Sequence, residues 1–224
     1  MGKLYARTAR RVRHGVRPRA ESDESAPEKV SGQVQEEMSA PWENPLPTAV
    51  EIGGAEYAIR TDYRDILNIF AILGDAELDG QEKALGVLVV FYPDLEHIPN
   101  DLYNDAVQRC LWFINGGDED QNRPAPKLMD WEQDFRYIIS PINRVMGQET
   151  RNVPYMHWWT FLSAYYEIGD CLFAQIVRIR DHLARGKPLD KEDRKWYREN
   201  RHLVDFKARY TDAEKETLKA WGVK

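Results

Sequence analysis

His157 is the side chain that most suggests chemistry, because it directly precedes two tryptophans, Trp158 and Trp159. A histidine beside large aromatic rings can be a buried acid–base group that titrates near neutral pH. The alternative is structural: Trp158 anchors the core, and His157 makes a hydrogen bond that holds the chain in place. We favour the structural interpretation and predict a core histidine.

The spacing of ligand-type residues does not support a metal site. No two histidines stand four residues apart, as they do in the zinc helix His-Glu-x-x-His. Asp118-Glu119-Asp120 could attract calcium, but the loop lacks the Asp-x-Asp-x-Asp-Gly pattern and its distal glutamate. The pair Asp130 and Asp134 is expected to cap a helix rather than to act as an acid and a base. The five histidines are His14, His97, His157, His182 and His202.

Known enzyme signatures are absent from the sequence. There is no phosphate-binding Gly-x-x-x-x-Gly-Lys, no Gly-x-Gly-x-x-Gly after a strand, and no Gly-x-Ser-x-Gly nucleophile turn. We therefore predict a non-enzymatic protein without catalytic residues, cofactor or metal. An enzyme that uses His157 is the alternative.

Aromatic residues are numerous, with 7 Trp and 11 Tyr in the chain. They combine a large apolar area with one polar group, so they dominate both helical cores and interface hot spots. At their spacing, Trp112, Trp159, Tyr165 and Tyr166 cannot all face one small core, and the alternative to a partner surface is simple partial exposure. We predict that Trp158, Trp159, Tyr165 and Tyr166 bind a protein partner.

The elements that must position these residues begin with a small hairpin. The folded region is expected to start near residues 42–47. Two β-like runs follow, Ala49–Ile52 and Ala55–Ile59, and Gly53-Gly54 between them permits the positive φ angles of a tight turn. Because an isolated hairpin is barely stable in water, it must pack on helices.

Helices account for the rest of the predicted domain. The second is expected to be buried nearly all round, although a strand is the alternative there. Pro141 should kink or break the fourth helix, and Pro154 should lie in the first turn of the fifth. The prediction is a mainly α protein: one helical domain of about six to eight helices with a small N-terminal β-hairpin and a disordered N-terminal arm. Periodicity and capping signals place these helices near residues 63–73, 81–92, 101–115, 130–146, 154–165, 170–185, 190–196 and 211–221.

Residues 1–41 differ from this domain in charge and composition. Residues 1–20 carry seven positive charges and no acid, and residues 21–40 carry six acids and one lysine. Residues 21–41 contain no Leu, Ile, Phe, Tyr or Trp. They therefore cannot bury enough apolar surface to offset the conformational entropy that is lost when a chain becomes ordered. We predict a disordered basic arm and acidic linker over 1–41, and a helical domain over 42–224 that is more polar from about 190. Nucleic-acid binding by the arm is an alternative that the acidic body does not favour.

Apolar runs and cysteines indicate the compartment. The longest apolar run, residues 84–92, is far shorter than the roughly 20 residues that span a bilayer. The N-terminus has no apolar signal segment, although an Arg-rich start also suits an organellar transit peptide. Cys110 and Cys171 lie in apolar helical patterns and are predicted to be reduced core residues. We expect a soluble intracellular protein without a membrane segment.

Four segments carry a resemblance to a known family. The first, residues 46–64, is the hairpin followed by the helix start Thr61-Asp62-Tyr63-Arg64. The other three are Asp130-Trp131-x-x-Asp134, His157-Trp158-Trp159-x-Phe161 and Ile176-x-x-Ile179-Arg180. In this order, and at these distances, they resemble blocks of the bacteriophage gene-product-fifteen family. The pattern does not include residues 1–41, and Gly147-Gln148-Glu149-Thr150 stands where relatives have Gly-Ile-Asp-Leu.

The resemblance implies a role in phage tail assembly. It implies a tailed phage or prophage of a Gram-positive bacterium, and a gene between the tail-tube and tape-measure genes. That position resembles the one held by tail assembly chaperones, which coat the tape-measure protein and help the tube protein to polymerise around it. The implied partner is the phage tape-measure protein, with the tail-tube protein or a second copy as further candidates, in the bacterial host cytoplasm during assembly. The alternatives are a structural tail component kept in the virion, or a nucleic-acid-binding protein.

Overall fold

The computed structural model describes residues 43–118 and 125–215. The predicted arm and linker, residues 1–41, and the predicted last helix beyond residue 215 lie outside this part of the chain. Residues from Leu46 onward belong to one compact unit, and the few described residues before Leu46 belong to another. The division into an arm and a helical domain stays a prediction.

The hairpin forms as predicted. Strands β1 (Ala49–Ile52) and β2 (Ala55–Ala58) are antiparallel, with Ala49 opposite Ala58 and Ile52 opposite Ala55. Gly53 and Gly54 have φ angles of 58° and 82°, which glycine adopts without steric cost. Val50 and Ile52 are buried, since alternate side chains of β1 point towards the helices.

Helices α1 (Tyr63–Gly74) and α2 (Gly80–Phe91) follow, and each begins at an aspartate. Asp62 accepts a hydrogen bond from the Arg64 backbone N–H, and Asp79 forms a reciprocal capping box with Glu82. The second segment is a helix and not the alternative strand, and the capping box at Asp79 fixes its start.

Two predictions about these helices were wrong. The helical spacing of Ile66, Leu67, Phe70 and Leu73 predicts one inner face for α1, but Leu73 is 39% exposed. The second helix is not buried all round, because Leu85 and Val89 are 52% and 53% exposed. Only one face of α2, with Leu88 and Phe91, packs into the core.

Helix α3 (Tyr103–Ile114) begins after two short 3-10 turns, Leu95–His97 and Asn100–Leu102. Asn100 and Asp101 are residue types that predict a helix cap here, but neither caps α3, since the 3-10 turn occupies both residues. The inner face of α3 carries Cys110 and Phe113, which are fully buried.

Helix α4 (Trp131–Met146) starts at Asp130, whose carboxylate accepts from the Gln133 backbone N–H. The helix runs past Pro141 without a break, so of the two predicted effects of this proline the break does not occur, and the kink stays a prediction. Proline removes one backbone donor, and the packing of α4 against α1, α5 and α6 supports the helix.

Helices α5 (Trp158–Tyr166) and α6 (Leu172–Ala184) complete the main core. Pro154 is not in the first turn of α5, which begins four residues later. The reason is tertiary: the Tyr63 N–H donates to the Met156 carbonyl and the Trp158 N–H donates to the Thr61 carbonyl, so residues 156–158 pair with the start of α1.

The C-terminal part contains α7 (Lys191–Glu199) and α8 (Arg201–Val204). Thr211 and Glu214 form the predicted capping box of a further helix, described from residue 212 to 215. A small second apolar cluster of Ile179, Leu189 and Val204 lies under α7 and α8, separate from the main core. Within the described residues the protein is mainly α with one two-stranded sheet, which confirms the predicted fold class. None of these helices has the length and apolarity needed to cross a membrane.

Candidate partner-binding groove

The start of α1 fixes the segment that leads into α5. Asp62 Oδ1 accepts from the Arg64 N–H at 2.9 Å, and Asp62 Oδ2 accepts from the Met156 N–H at 3.1 Å. The Arg64 guanidinium crosses to the same segment, where Nη2 donates to the Val153 carbonyl at 2.6 Å. The Asp62 carboxylate is therefore both a helix cap and a link between two distant parts of the sequence.

His157 is the N-cap of α5. Its Nδ1 accepts from the Trp159 backbone N–H at 3.0 Å, so the proton of the neutral ring lies on Nε2, which donates to the Pro47 carbonyl at 3.0 Å. Burial lowers the pKa of His157, with the Pro47 hydrogen bond acting in the opposite direction. Both ring nitrogens are engaged, which supports the structural interpretation of this histidine.

Two consecutive tryptophans of α5 bind the C-terminal end of α3. The Trp158 Nε1–H donates to the Ile114 carbonyl and the Trp159 Nε1–H to the Phe113 carbonyl, both at 2.8 Å. Carbonyl groups in the last turn of a helix lack partners further along that helix. The Trp158 indole therefore gives the Ile114 carbonyl a partner, and the Trp159 indole is a second donor to the Phe113 carbonyl, which also accepts from the Gly116 N–H at 3.1 Å.

Gly117 allows the Trp159 ring to lie against the end of α3. Its φ angle is 90°, and a Cβ atom built on it would stand 3.0 Å from Cη2 of Trp159. The Trp112 ring contacts Trp159 edge to face, with ring centroids 5.6 Å apart. A side chain at position 117 would require Trp159 to shift by a few tenths of an ångström.

An open aromatic groove lies between the end of α3 and the exposed side of α5. It consists of two adjoining depressions of about 240 and 390 Å³, which share Asn115, Asp118, Leu162 and Tyr166. We call this surface the α3–α5 groove. The first depression is also lined by Leu46, Gly116 and Trp159, and the second by Phe70, Met129, Trp131 and Tyr165.

The structure divides the four predicted partner-binding residues. Trp158 is 1% exposed, so its ring serves the core and contributes little area to the second depression that it helps to line. Trp159 and Tyr165 are half-buried, with one edge in the groove, and Tyr166 is 67% exposed. Partner binding by Trp159, Tyr165 and Tyr166 stays a prediction.

The electrostatics of the groove are set by one acid and two phenols. Burial raises the pKa of Tyr165 to about 12, and its hydroxyl donates to Met129 Sδ at 3.0 Å. The pKa of Tyr166 is also raised, first by partial burial and then by the negative charge of Asp118. Asp118 is the charged residue among the described residues that line the groove.

Sequence reasoning missed several groove residues. Leu46, Phe70 and Trp131 come from the segment before β1, from α1 and from α4, and local periodicity cannot show that they meet α5. Trp131 could have been predicted as a groove residue, because it directly follows the capping Asp130 in one of the four family segments. Its ring packs edge to face on Trp158, with centroids 5.6 Å apart.

One group of possible metal ligands was also not singled out. Donor atoms of Asp94, Glu96 and His97 lie within 4.8 Å of one another. All three side chains are exposed, and no further donor among residues 43–118 and 125–215 completes the group. It resembles an acidic surface turn and does not define a metal centre.

The fold and the groove together define a helical protein with an open aromatic groove on its surface. A comparison with protein families identifies it further: the chain belongs to the family described as Bacteriophage Gp15 protein, whose model matches residues 42–206. It is therefore a phage protein. No curated protein and no solved structure matches it.

The four segments that carry the family resemblance meet in pairs. The first and third meet where the Tyr63 and Phe161 rings stack, with centroids 4.5 Å apart and planes 2° from parallel. The second and fourth meet in an ion pair between Asp134 and Arg180. In this chain, those segments supply the contacts that hold α1, α4, α5 and α6 together.

Proposed function

We propose that this phage protein is non-enzymatic and acts in tail assembly as a chaperone that binds the tape-measure protein. The observation that carries the proposal is the α3–α5 groove, where the exposed Tyr166 stands beside the half-buried Trp159 and Tyr165. The role in tail assembly rests on the family and on the gene position that the family resemblance implies.

The shape of the groove suits an amphipathic helix. Helix-in-groove recognition places apolar side chains of one helix face into an apolar channel, and two depressions that share Leu162 and Tyr166 form such a channel. Asp118 at its edge favours a client segment with a lysine or arginine beside its apolar face. A chaperone needs only moderate affinity, because the client must later leave.

The state of His157 supports binding rather than catalysis. A general base needs a nitrogen within hydrogen-bond reach of a substrate proton, whereas Nδ1 and Nε2 of His157 are occupied by Trp159 and Pro47. A histidine that caps a helix contributes to the groove by fixing the direction of α5.

Co-expression with the long tape-measure-like protein from the same gene cluster tests the proposal. We expect the client to be insoluble alone, and to co-purify with this chain as a complex in size-exclusion chromatography. Failure to associate, together with the presence of this chain in purified particles, would contradict the proposal and favour a structural tail component.

A pair of variants tests the groove itself. Leu46→Asp/Tyr166→Asp places charge on two groove residues that are 44% and 67% exposed. Leu183→Asp/Tyr210→Asp is the matched control, on residues 42% and 44% exposed and outside the groove. We expect the groove variant to lose roughly tenfold or more in client affinity, as hot-spot changes do, and the control to bind as the wild type does. Equal binding by both variants would show that the client binds elsewhere.

A further inference from the structure

A row of cations covers the outward face of α7. At 3.6 residues per turn, Lys191, Arg194, Lys195 and Arg198 fall within an arc of about 100° of the helix. All four side chains are exposed, and the buried Asp193 lies on the opposite side.

The aspartates around α7 take part in internal contacts, whereas Glu192 and Glu199 of α7 are exposed beside the row and form no ion pair with it. Asp193 accepts two hydrogen bonds from the Arg178 guanidinium, at 2.6 and 2.7 Å. Asp190 accepts from the Asp193 N–H as the N-cap, and Asp205 accepts from the Tyr197 hydroxyl. The internal contacts of this part therefore use its aspartates and leave the cations outside.

The cations of the row have no acidic partner in the described part of the molecule. Lys191, Lys195 and Arg198 take part in none of the ion pairs of residues 43–118 and 125–215. Arg194 donates to the Leu189 carbonyl, which leaves its charge uncompensated. Four adjacent like charges repel one another unless an anionic partner binds them.

The first half of the same fold has the opposite charge. Residues 46–118 contain 13 acidic and 4 basic residues, whereas residues 178–209 contain 11 basic and 6 acidic residues. An exposed acidic face lies on the 3-10 turns and the start of α3. Its acids Asp94, Glu96, Asp101 and Asp105 form no ion pair with the described residues.

We propose that the basic face of α7 binds the acidic face, residues 94–105, of a second copy of this chain. Two different surfaces meet in such a contact, so it repeats head to tail and builds a ring or a filament. The second copy is favoured over nucleic acid because the whole chain has a net charge of −6, which repels a polyanion at longer range. This inference is independent of the proposed chaperone function.

Sedimentation velocity of the full-length chain tests the proposal. Exposed ion pairs are weak and screened by salt. We therefore expect the weight-average sedimentation coefficient to rise with protein concentration at about 25 mM NaCl, and to fall to the monomer value at about 500 mM, where the Debye length is a few ångströms.

Charge reversal identifies the surfaces. Lys191→Glu/Lys195→Glu should lower the association constant roughly tenfold or more, because it opposes like charges. Lys83→Glu/Lys207→Glu, with the same change in net charge on other elements, should keep it within about threefold of the wild-type value. A Glu96→Lys/Asp101→Lys variant should also fail to self-associate, but it should associate with the α7 variant when the two are mixed. Circular dichroism checks that each variant is folded.

Several outcomes would overturn the proposal. A chain that stays monomeric at low salt, or one whose association does not respond to salt, rules out this contact. Binding of a duplex DNA oligonucleotide that is lost in the α7 variant, without self-association, would assign the row to nucleic acid. Loss of association in an Arg10→Gln/Arg11→Gln/Arg13→Gln variant, with the α7 variant unaffected, would assign the self-association to the N-terminal arm.

Discussion

Arg180 and Asp134 form a buried two-point ion pair, in which Nη1 donates to Oδ2 at 2.6 Å and Nη2 to Oδ1 at 3.0 Å. Their side chains are only 6% and 2% exposed. The guanidinium also donates to the carbonyl groups of Leu128, Leu203 and Val204. One side chain of α6 thus holds α4, the segment before it, and the end of α8.

Removing one member of this pair should strongly destabilise the fold. Asp134→Ala leaves a buried guanidinium without its anion, which costs about 3–5 kcal/mol of unfolding free energy. Asp181→Ala, which breaks the exposed pair with Arg185, should cost less than about 1 kcal/mol. Urea unfolding measures both. A change below about 1 kcal/mol for Asp134→Ala would mean that the pair adds little.

Asp62 should contribute more to the free energy of unfolding than an ordinary helix cap does. Asp79→Ala removes the cap of α2 and should cost about 1 kcal/mol. Asp62→Ala removes the cap of α1 and also the acceptor for the Met156 N–H, so we expect about 2–3 kcal/mol. Equal losses in denaturant unfolding would show that the link to Met156 contributes nothing to stability.

A side chain at Gly117 should disturb the α3–α5 groove. Gly117→Ala introduces both a positive-φ strain and a collision with Trp159, whereas Gly54→Ala introduces the strain into open space. The strain alone costs about 1–2 kcal/mol. We expect Gly117→Ala to be the more destabilising and to shift the tryptophan emission to longer wavelength. Equal unfolding free energies and unchanged emission would indicate that Trp159 moves aside freely.

Protonation of His157 should make stability depend on pH. Its folded-state pKa is lowered by burial from the ordinary 6.5, so the unfolded chain binds more protons below that value. The contribution of His157 to the free energy of unfolding is therefore fully present above pH 6.5 and is lost as the pH falls towards the folded-state pKa. Denaturation midpoints at about pH 7.5 and 5.5 bracket the onset of this loss.

The matching control uses glutamine, whose amide can donate and accept as the imidazole does. His157→Gln should flatten the dependence in this range, while His202→Gln, on an exposed histidine, should leave it unchanged. A slope that persists in His157→Gln would assign the titration to another group.

Local signals in the sequence determined the elements. The Gly53-Gly54 turn, the caps Asp62, Asp130 and Asp190, and the capping box at Thr211 each depend on residues a few positions apart, and the structure contains all of them. The family could likewise be predicted, because its four segments occur in order along the chain.

Tertiary contacts decided what the sequence could not. Helix α5 starts at Trp158 and not near Pro154 as predicted, because residues 156–158 pair with the start of α1, about ninety residues earlier. The same pairing gives two adjacent tryptophans different environments. Trp158 is buried in the core, whereas Trp159 is half-buried with one edge in the groove. Periodicity reports which residues share a face of one helix, whereas burial depends on which other element covers that face, and only the folded chain brings those elements together.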